Sequence, residues 1–529
     1  MTFGLLFSVA LLRGQEQKNH NLEVGMQLDI FNQLYKNLDL MYVDTLDAEK
    51  TVGTGIRAML KSLDPYTEYF PEQKDLRTFM SGKYGGIGAL IRYHLGKKTV
   101  VIDEPYEGTP ALEAGLRKGD EVLSIDDSVM TGKDTKYVSE HLRGDAGTTF
   151  VLKVHRPSVD KDLKLKITRR QIQYSATIPY YGMREGGVGY ICLSQFTEGS
   201  AQEVRRAFVD LKKRGMTSLV LDLRGNGGGS EMEAVNLVNL FVPRGVMVVE
   251  NKGKIRQASH TYKTAVEPLD TLMPLVVLVN GESASASEIT SGALQDLKRA
   301  TIVGTRSYGK GLVQVPIDLP YNTNVKITTS RYYLPSGRSI QGTGITPDVE
   351  VRQDTIPNIA FYLSGSGVDS TEVAFDYVVD YIAQHPTIAA PSMFHLSDAD
   401  FAQFKQRVID SGFTYDPVSK KQLAELVKTA KFEGYYDECR ETFETLERQL
   451  KHDVGRDIDK HSDVLRQMLE SDIVAAYYYQ SGVLEHGLQY DKQLKEAVRV
   501  LTDKRSVGEG AAVAAAVRRG DNAAATRQN

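Results

Sequence analysis

The sequence predicts a multidomain α/β protein, and three observations carry that reading. Residues 172 to 355 alternate continuous apolar runs with amphipathic stretches. Ser218-Leu-Val-Leu-Asp-Leu223 and Pro274-Leu-Val-Val-Leu-Val-Asn280 read as buried strands, and Ser200 to Arg214 reads as a serine-capped helix. Strands alternating with helices argue for an α/β layer. Residues 82 to 170 carry short apolar strands separated by turn residues, the pattern of a small β-rich domain. Helical periodicity flanks both. At roughly 150 residues per domain, 529 residues allow three to four domains.

Taken in order, residues 1–23 form an apolar N-terminal segment. Its run from Phe3 to Leu12 is too short for a bilayer span of about 20 residues, and its length suits a secretory leader. The region 24–80 is helical, with Met26, Leu28, Ile30, Phe31, Leu34, Tyr35 and Leu38 on one expected buried face. The β-rich domain occupies 82–170 and the α/β core 172–355. A helical region follows over 356–505, with helices at Ala374 to His385, Asp398 to Ser411 and Ser419 to Ala430. An alanine-rich tail, expected to be disordered, closes the chain at 506–529.

Composition excludes several function classes. The formal net charge is −4, so nucleic acid has no electrostatic claim as the main partner. Two cysteines exclude a disulfide scaffold and a cysteine-rich zinc module. The ten histidines show no metal-ligand spacing, so no metal is expected. Gly304-Thr-Arg-Ser-Tyr-Gly-Lys310-Gly311 imitates a phosphate-binding loop, but Gly311 stands where a magnesium-binding hydroxyl is required, and a strand-like segment follows instead of a helix. Gly225-Asn-Gly-Gly-Gly229 lacks the last glycine of a dinucleotide fingerprint.

The junction Asn280-Gly-Glu-Ser-Ala-Ser285-Ala-Ser-Glu288 joins a strand to a helix through small residues. Such a junction presents a side chain at a sheet end and leaves backbone N–H groups free at the helix start. Ser285-Ala-Ser-Glu288 is also an ordinary capping box, and Ser283, Ser285 and Ser287 are equal candidates on sequence grounds. Lys310, between two glycines, is a candidate base. A lysine serves as a base only when neutral. Its ordinary pKa of about 10.4 must then be lowered by desolvation.

These stretches resemble the carboxy-terminal processing peptidases, or tail-specific proteases. The resemblance includes Leu219 to Gly229, Leu278 to Ile289 and Gly304 to Gln314. It extends to Leu63-Asp-Pro-Tyr-Thr-Glu-Tyr-Phe-Pro71 and Leu334 to Val349. It covers about residues 25 to 355 and implies a crotonase- or Clp-protease-like core and a Ser–Lys serine endopeptidase needing no cofactor and no ATP. In that family the lysine follows the serine by 25 positions, which selects Ser285 with Lys310. The same resemblance implies Gln314 as the third catalytic residue, and an oxyanion hole from Ala286 and Gly228, with Gly229 as competitor.

Tyr84-Gly-Gly-Ile-Gly-Ala-Leu-Ile91 with Gly108 to Ile125 is similar to a PDZ domain. Gly86, Ile87, Gly88 and Ala89 would receive a substrate's terminal carboxylate, and Ile87, Ala89, Val138 and Leu142 its last side chain. The partners expected are proteins with free apolar C-termini, a second copy of the chain and an activating adaptor. The expected location is the cell envelope, in the periplasm, with a tether to the inner membrane through the N-terminus. The competing reading is a catalytically idle PDZ scaffold.

Overall fold

A computed structural model describes residues 2–72, 83–173, 177–365, 372–415, 418–450 and 453–503. The tail expected at 506–529 lies outside them. The chain divides into two compact units: residues 1–76 with 314–328, and 77–313 with 329–529.

The first unit begins with the helices Thr2–Met41 and Ala48–Lys61, the second capped by the Asp47 side chain on the Lys50 N–H. The apolar face expected to be buried in the first helix is not. Met26, Leu28, Ile30, Phe31 and Leu34 are all at least half exposed, because no described element covers that face. Among the described residues no helix is long and apolar enough to cross a membrane. The segment after the second helix folds by local chemistry. Asp64 accepts the N–H groups of Tyr66 and Thr67, and the strand Glu68–Phe70 then pairs antiparallel with Asn324 to Lys326.

The second unit holds the α/β core. Its sheet runs, in spatial order, Tyr180–Arg184, Val188–Cys192, Ser218–Asp222, Leu275–Val279, Thr301–Gly304 and Val349–Glu350. Only the first pair is antiparallel. Successive side chains along a strand face opposite ways. Leu219 and Leu221 therefore join one core, packed under the helices Ser200–Lys213, Glu231–Asn239 and Ala286–Asp296. Val220 joins another. The helix Lys492–Thr502 covers that second face with Leu494, Ala497 and Leu501. Strands buried on both faces read as unbroken apolar runs, which is why these were visible in the sequence.

The β-rich domain is an antiparallel sheet in the order Ala89–His94, Thr99–Pro105, Glu121–Ile125, Thr149–Arg156 and Lys161–Thr168, with the helix Thr135–Leu142 over its core. Phe375 and Val379, from the helix Val373–Gln384, pack on its Val101. The remaining helices, chiefly Asp398–Asp410 and Ser462–Gly487, build their own core around Phe404, Leu465 and Leu469.

Candidate active site

Three neighbouring parallel strands end at one edge of the core sheet: Ser218–Asp222, Leu275–Val279 and Thr301–Gly304. Ligands of open α/β sheets bind at the carboxyl ends of strands. The three loops that leave there carry the glycine run, the three serines and Lys310.

The serines are not equivalent. The Ser283 hydroxyl donates to the Leu223 carbonyl and the Ser287 hydroxyl to the Asn226 carbonyl, each at 2.8 Å, and both residues are fully buried. Each hydroxyl is therefore committed to the fold. Ser285 stands at the start of the helix Ala286–Asp296 with φ 55° and ψ −113°. An ordinary N-cap residue is extended, and a non-glycine residue at positive φ is held there only by its surroundings. The conformation lifts Ser285 out of the regular path. Its side chain meets the hydroxyl of Tyr332 as a hydrogen-bonding partner. Burial holds that phenol well above its ordinary pKa, so it stays a neutral hydroxyl.

Glu288 draws the serine and lysine loops together. Its Oε2 accepts the Ser285 N–H at 2.9 Å and the Lys310 N–H at 2.8 Å. Its Oε1 accepts the Gly309 N–H at 2.7 Å and the Ser307 hydroxyl at 2.5 Å. The amides of Ser285 and Lys310 thus share one oxygen atom. The carboxylate is wholly buried and fully satisfied by four donors. The capping-box signature is present, but the glutamate does more than cap.

Lys310 is half-buried, not an exposed turn residue. Its flanking glycines answer to close packing. A Cβ on Gly311 would lie 2.6 Å from the Gln341 nitrogen, and one on Gly309 3.1 Å from the Gly344 nitrogen. The Gly311 carbonyl also accepts the Tyr332 N–H at 2.9 Å. Tyr332 therefore touches the serine with its side chain and the lysine loop with its backbone, a link that sequence spacing does not reveal.

Gly228 has φ +101°, and a Cβ there would lie 2.8 Å from the Ser285 Cβ and 3.0 Å from the Ala286 nitrogen. The glycine run therefore lies against the serine and the helix start. The N–H of Gly228, the expected oxyanion donor, here donates to Asn226 Oδ1 at 2.9 Å. Asn226 is fully buried and also donates from Nδ2 to the Leu193 carbonyl at 2.8 Å. Gln314 lies in the first unit, where its Nε2 donates to the Thr328 hydroxyl at 3.2 Å, and Thr328 in turn meets Thr67.

In the β-rich domain a cavity is lined by Tyr84, Ile87, Ala89, Leu142 and Arg143, among others. Gly88 has φ +77° with its carbonyl accepting the Thr109 hydroxyl. Val138 does not line the cavity. It is fully buried in the domain core, and the helix turns Ser139 and Leu142 toward the opening instead. Gly86 and Gly88 are not among the lining residues either. Among the described residues no group of histidines, cysteines and carboxylates is placed to hold a metal.

Comparison with known proteins identifies the family. Residues 187–351 match the model of peptidase family S41, 101–156 a PDZ domain, and 365–501 the C-terminal helical domain of probable PDZ-proteases. The chain is 38% identical to a carboxy-terminal-processing protease of Bartonella bacilliformis over 63% of this chain and 77% of that one. It is 34% identical to the chloroplastic C-terminal processing peptidase of Tetradesmus obliquus, over 59% of this chain and 71% of that one. A solved photosystem II D1 C-terminal processing protease matches at 31% identity, covering 64% of this chain and 92% of that chain, with a TM-score of 0.37. The chain therefore belongs to the carboxy-terminal processing proteases, serine peptidases of family S41 that carry a PDZ domain.

Proposed function

We propose that this protease works through a Ser285–Lys310 dyad and selects its substrates by their free C-termini. The observation that carries the reading is the single Glu288 oxygen shared by the amides of Ser285 and Lys310. It fixes the two loops against each other through their backbone amides.

Uncharged Lys310 takes the Ser285 proton on Nζ as Oγ bonds to a peptide carbonyl carbon. The carbonyl oxygen gains negative charge. Lys310 then gives its proton to the leaving amine, the C–N bond breaks, and water later hydrolyses the ester. The Ala286 N–H, at the first helical position, is one oxyanion donor. Gly228 is the second once its N–H shares or leaves Asn226 Oδ1. The family resemblance assigns Gln314 the third catalytic role, with an amide that carries no charge.

The cavity beside Ile87, Ala89 and Leu142 takes the last apolar side chain of a substrate added as an edge strand. Arg143 brings positive charge to its rim. The exposed apolar face around Leu28 and Phe31 is the surface for a second copy of the chain.

The test is digestion of an unfolded protein with a free apolar C-terminus, followed by mass spectrometry. Wild type should yield C-terminal fragments, and Ser285→Ala and Lys310→Met none. Cleavage that survives either substitution contradicts the dyad.

A further inference from the structure

The helix Lys492–Thr502 does more than cover the core sheet. Its N-cap residue, Asp491, reaches the residue that begins the glycine loop. Asp491 Oδ1 accepts Arg224 Nη1 at 3.0 Å, and Oδ2 accepts Arg224 Nη2 at 2.5 Å. Gln493 Oε1 accepts Nη1 at 3.0 Å. The same guanidinium donates from Nε to both Asp222 oxygens, at 2.9 and 3.0 Å. Asp222 is buried and also accepts the Tyr190 hydroxyl at 2.7 Å. Arg224 is thus clamped between a carboxylate of the peptidase strand and one from the far end of the chain. Desolvation opposes its charge, but the two carboxylates outweigh it and hold it firmly protonated.

The clamp is continuous with the site. The Arg224 N–H donates to Asp222 Oδ1, the Gly225 N–H to Asn280 Oδ1, and the Gly228 N–H to Asn226 Oδ1. Gly228 then abuts Ser285. Resting on the reading that this loop serves the oxyanion, we infer that Asp491 is a positioning residue for catalysis. The C-terminal helix sets the glycine loop through Arg224. Bidentate guanidinium–carboxylate pairs fix direction as well as distance. A displacement of about 1 Å at a reacting centre can cost about 10²-fold in rate.

The informative variant is Asp491→Asn in the full chain. Asparagine caps a helix as well as aspartate does. The bond that Asp491 Oδ1 accepts from the Leu494 N–H therefore has a replacement, and only the ionic hold on Arg224 is lost. Turnover of an internally quenched peptide with a free apolar C-terminus is measured per titrated active site. We expect kcat to fall about ten- to a hundredfold and KM to stay within about twofold, with the thermal midpoint lowered only by a few degrees, because the new amide nitrogen faces the Arg224 donor. Arg224→Lys should lose as much, and the double variant no more. Lys492→Ala breaks only an exposed pair with Asp354 and should behave as wild type. An unchanged kcat per active site in Asp491→Asn overturns the inference, as does a loss that follows the folded fraction alone. Ser285→Ala run alongside keeps the questions separate: activity remaining there contradicts the dyad, not the clamp.

Discussion

Glu288 shows how much one residue can decide. Its four donors leave no place for an amide. Glu288→Gln would turn an NH2 group toward N–H and O–H donors, leaving buried groups unpaired at about 1–3 kcal/mol each. We expect a thermal midpoint lowered by several degrees and kcat reduced at least tenfold. A variant with wild-type kcat and midpoint would show that the shared carboxylate is dispensable. In the sequence this residue was legible only as the end of a capping box, because its partners Ser307, Gly309 and Lys310 lie some twenty positions away. The choice among the three serines was likewise open to spacing alone. It is decided physically by the carbonyls that hold Ser283 and Ser287. Tyr332 gave no signal at all, since an aromatic on a strand reads as core.

Elements were legible where one period dominated. The helix read at Asp398 to Ser411 spans Asp398–Asp410, and the strand runs of the core appear where the apolar stretches lie. The first helix was read correctly as helix and wrongly as buried, because periodicity marks an apolar face without naming what covers it. The buried pair within Ser462–Gly487 was invisible for the same reason. His486 Nε2 meets Glu470 Oε2 at 3.2 Å, and its Nδ1 faces the Pro391 carbonyl at 2.8 Å. Burial opposes charge on both groups. The mutual bond outweighs it, joined on the histidine by the Pro391 carbonyl and on the glutamate by the donors of Leu396 and Tyr490, leaving His486 raised and Glu470 lowered. The histidine contribution is complete below its unfolded value of about 6.5 and fades as pH rises through the folded value. The glutamate contribution is complete above about 4.3 and fades as pH falls through its folded value. Thermal stability should therefore decline from pH 6 to 8, and His486→Gln should flatten that decline. Equal slopes in both proteins would remove the pair as its cause.

At the scale of the whole molecule, the order of helical segment, PDZ domain, peptidase core and helical region could be read from motifs. That the helix Lys492–Thr502 closes the second face of the core sheet was not legible, because the contact joins residues about two to three hundred positions apart. The proposed recognition of free C-termini by the PDZ domain makes a specific prediction. Amidating the substrate's C-terminus should lower kcat/KM at least tenfold while leaving the cleavage positions unchanged. Equal rates for acid and amide would sink the recognition role of the cavity. The central claim remains the attack of Ser285 on a carbonyl with Lys310 as base. It is tested most directly by treating the full chain with a fluorophosphonate and locating the adduct by peptide mapping. The account predicts one adduct, on Ser285, in wild type and almost none in Lys310→Met. Labelling of another residue, or an undiminished rate without the lysine amine, would contradict it.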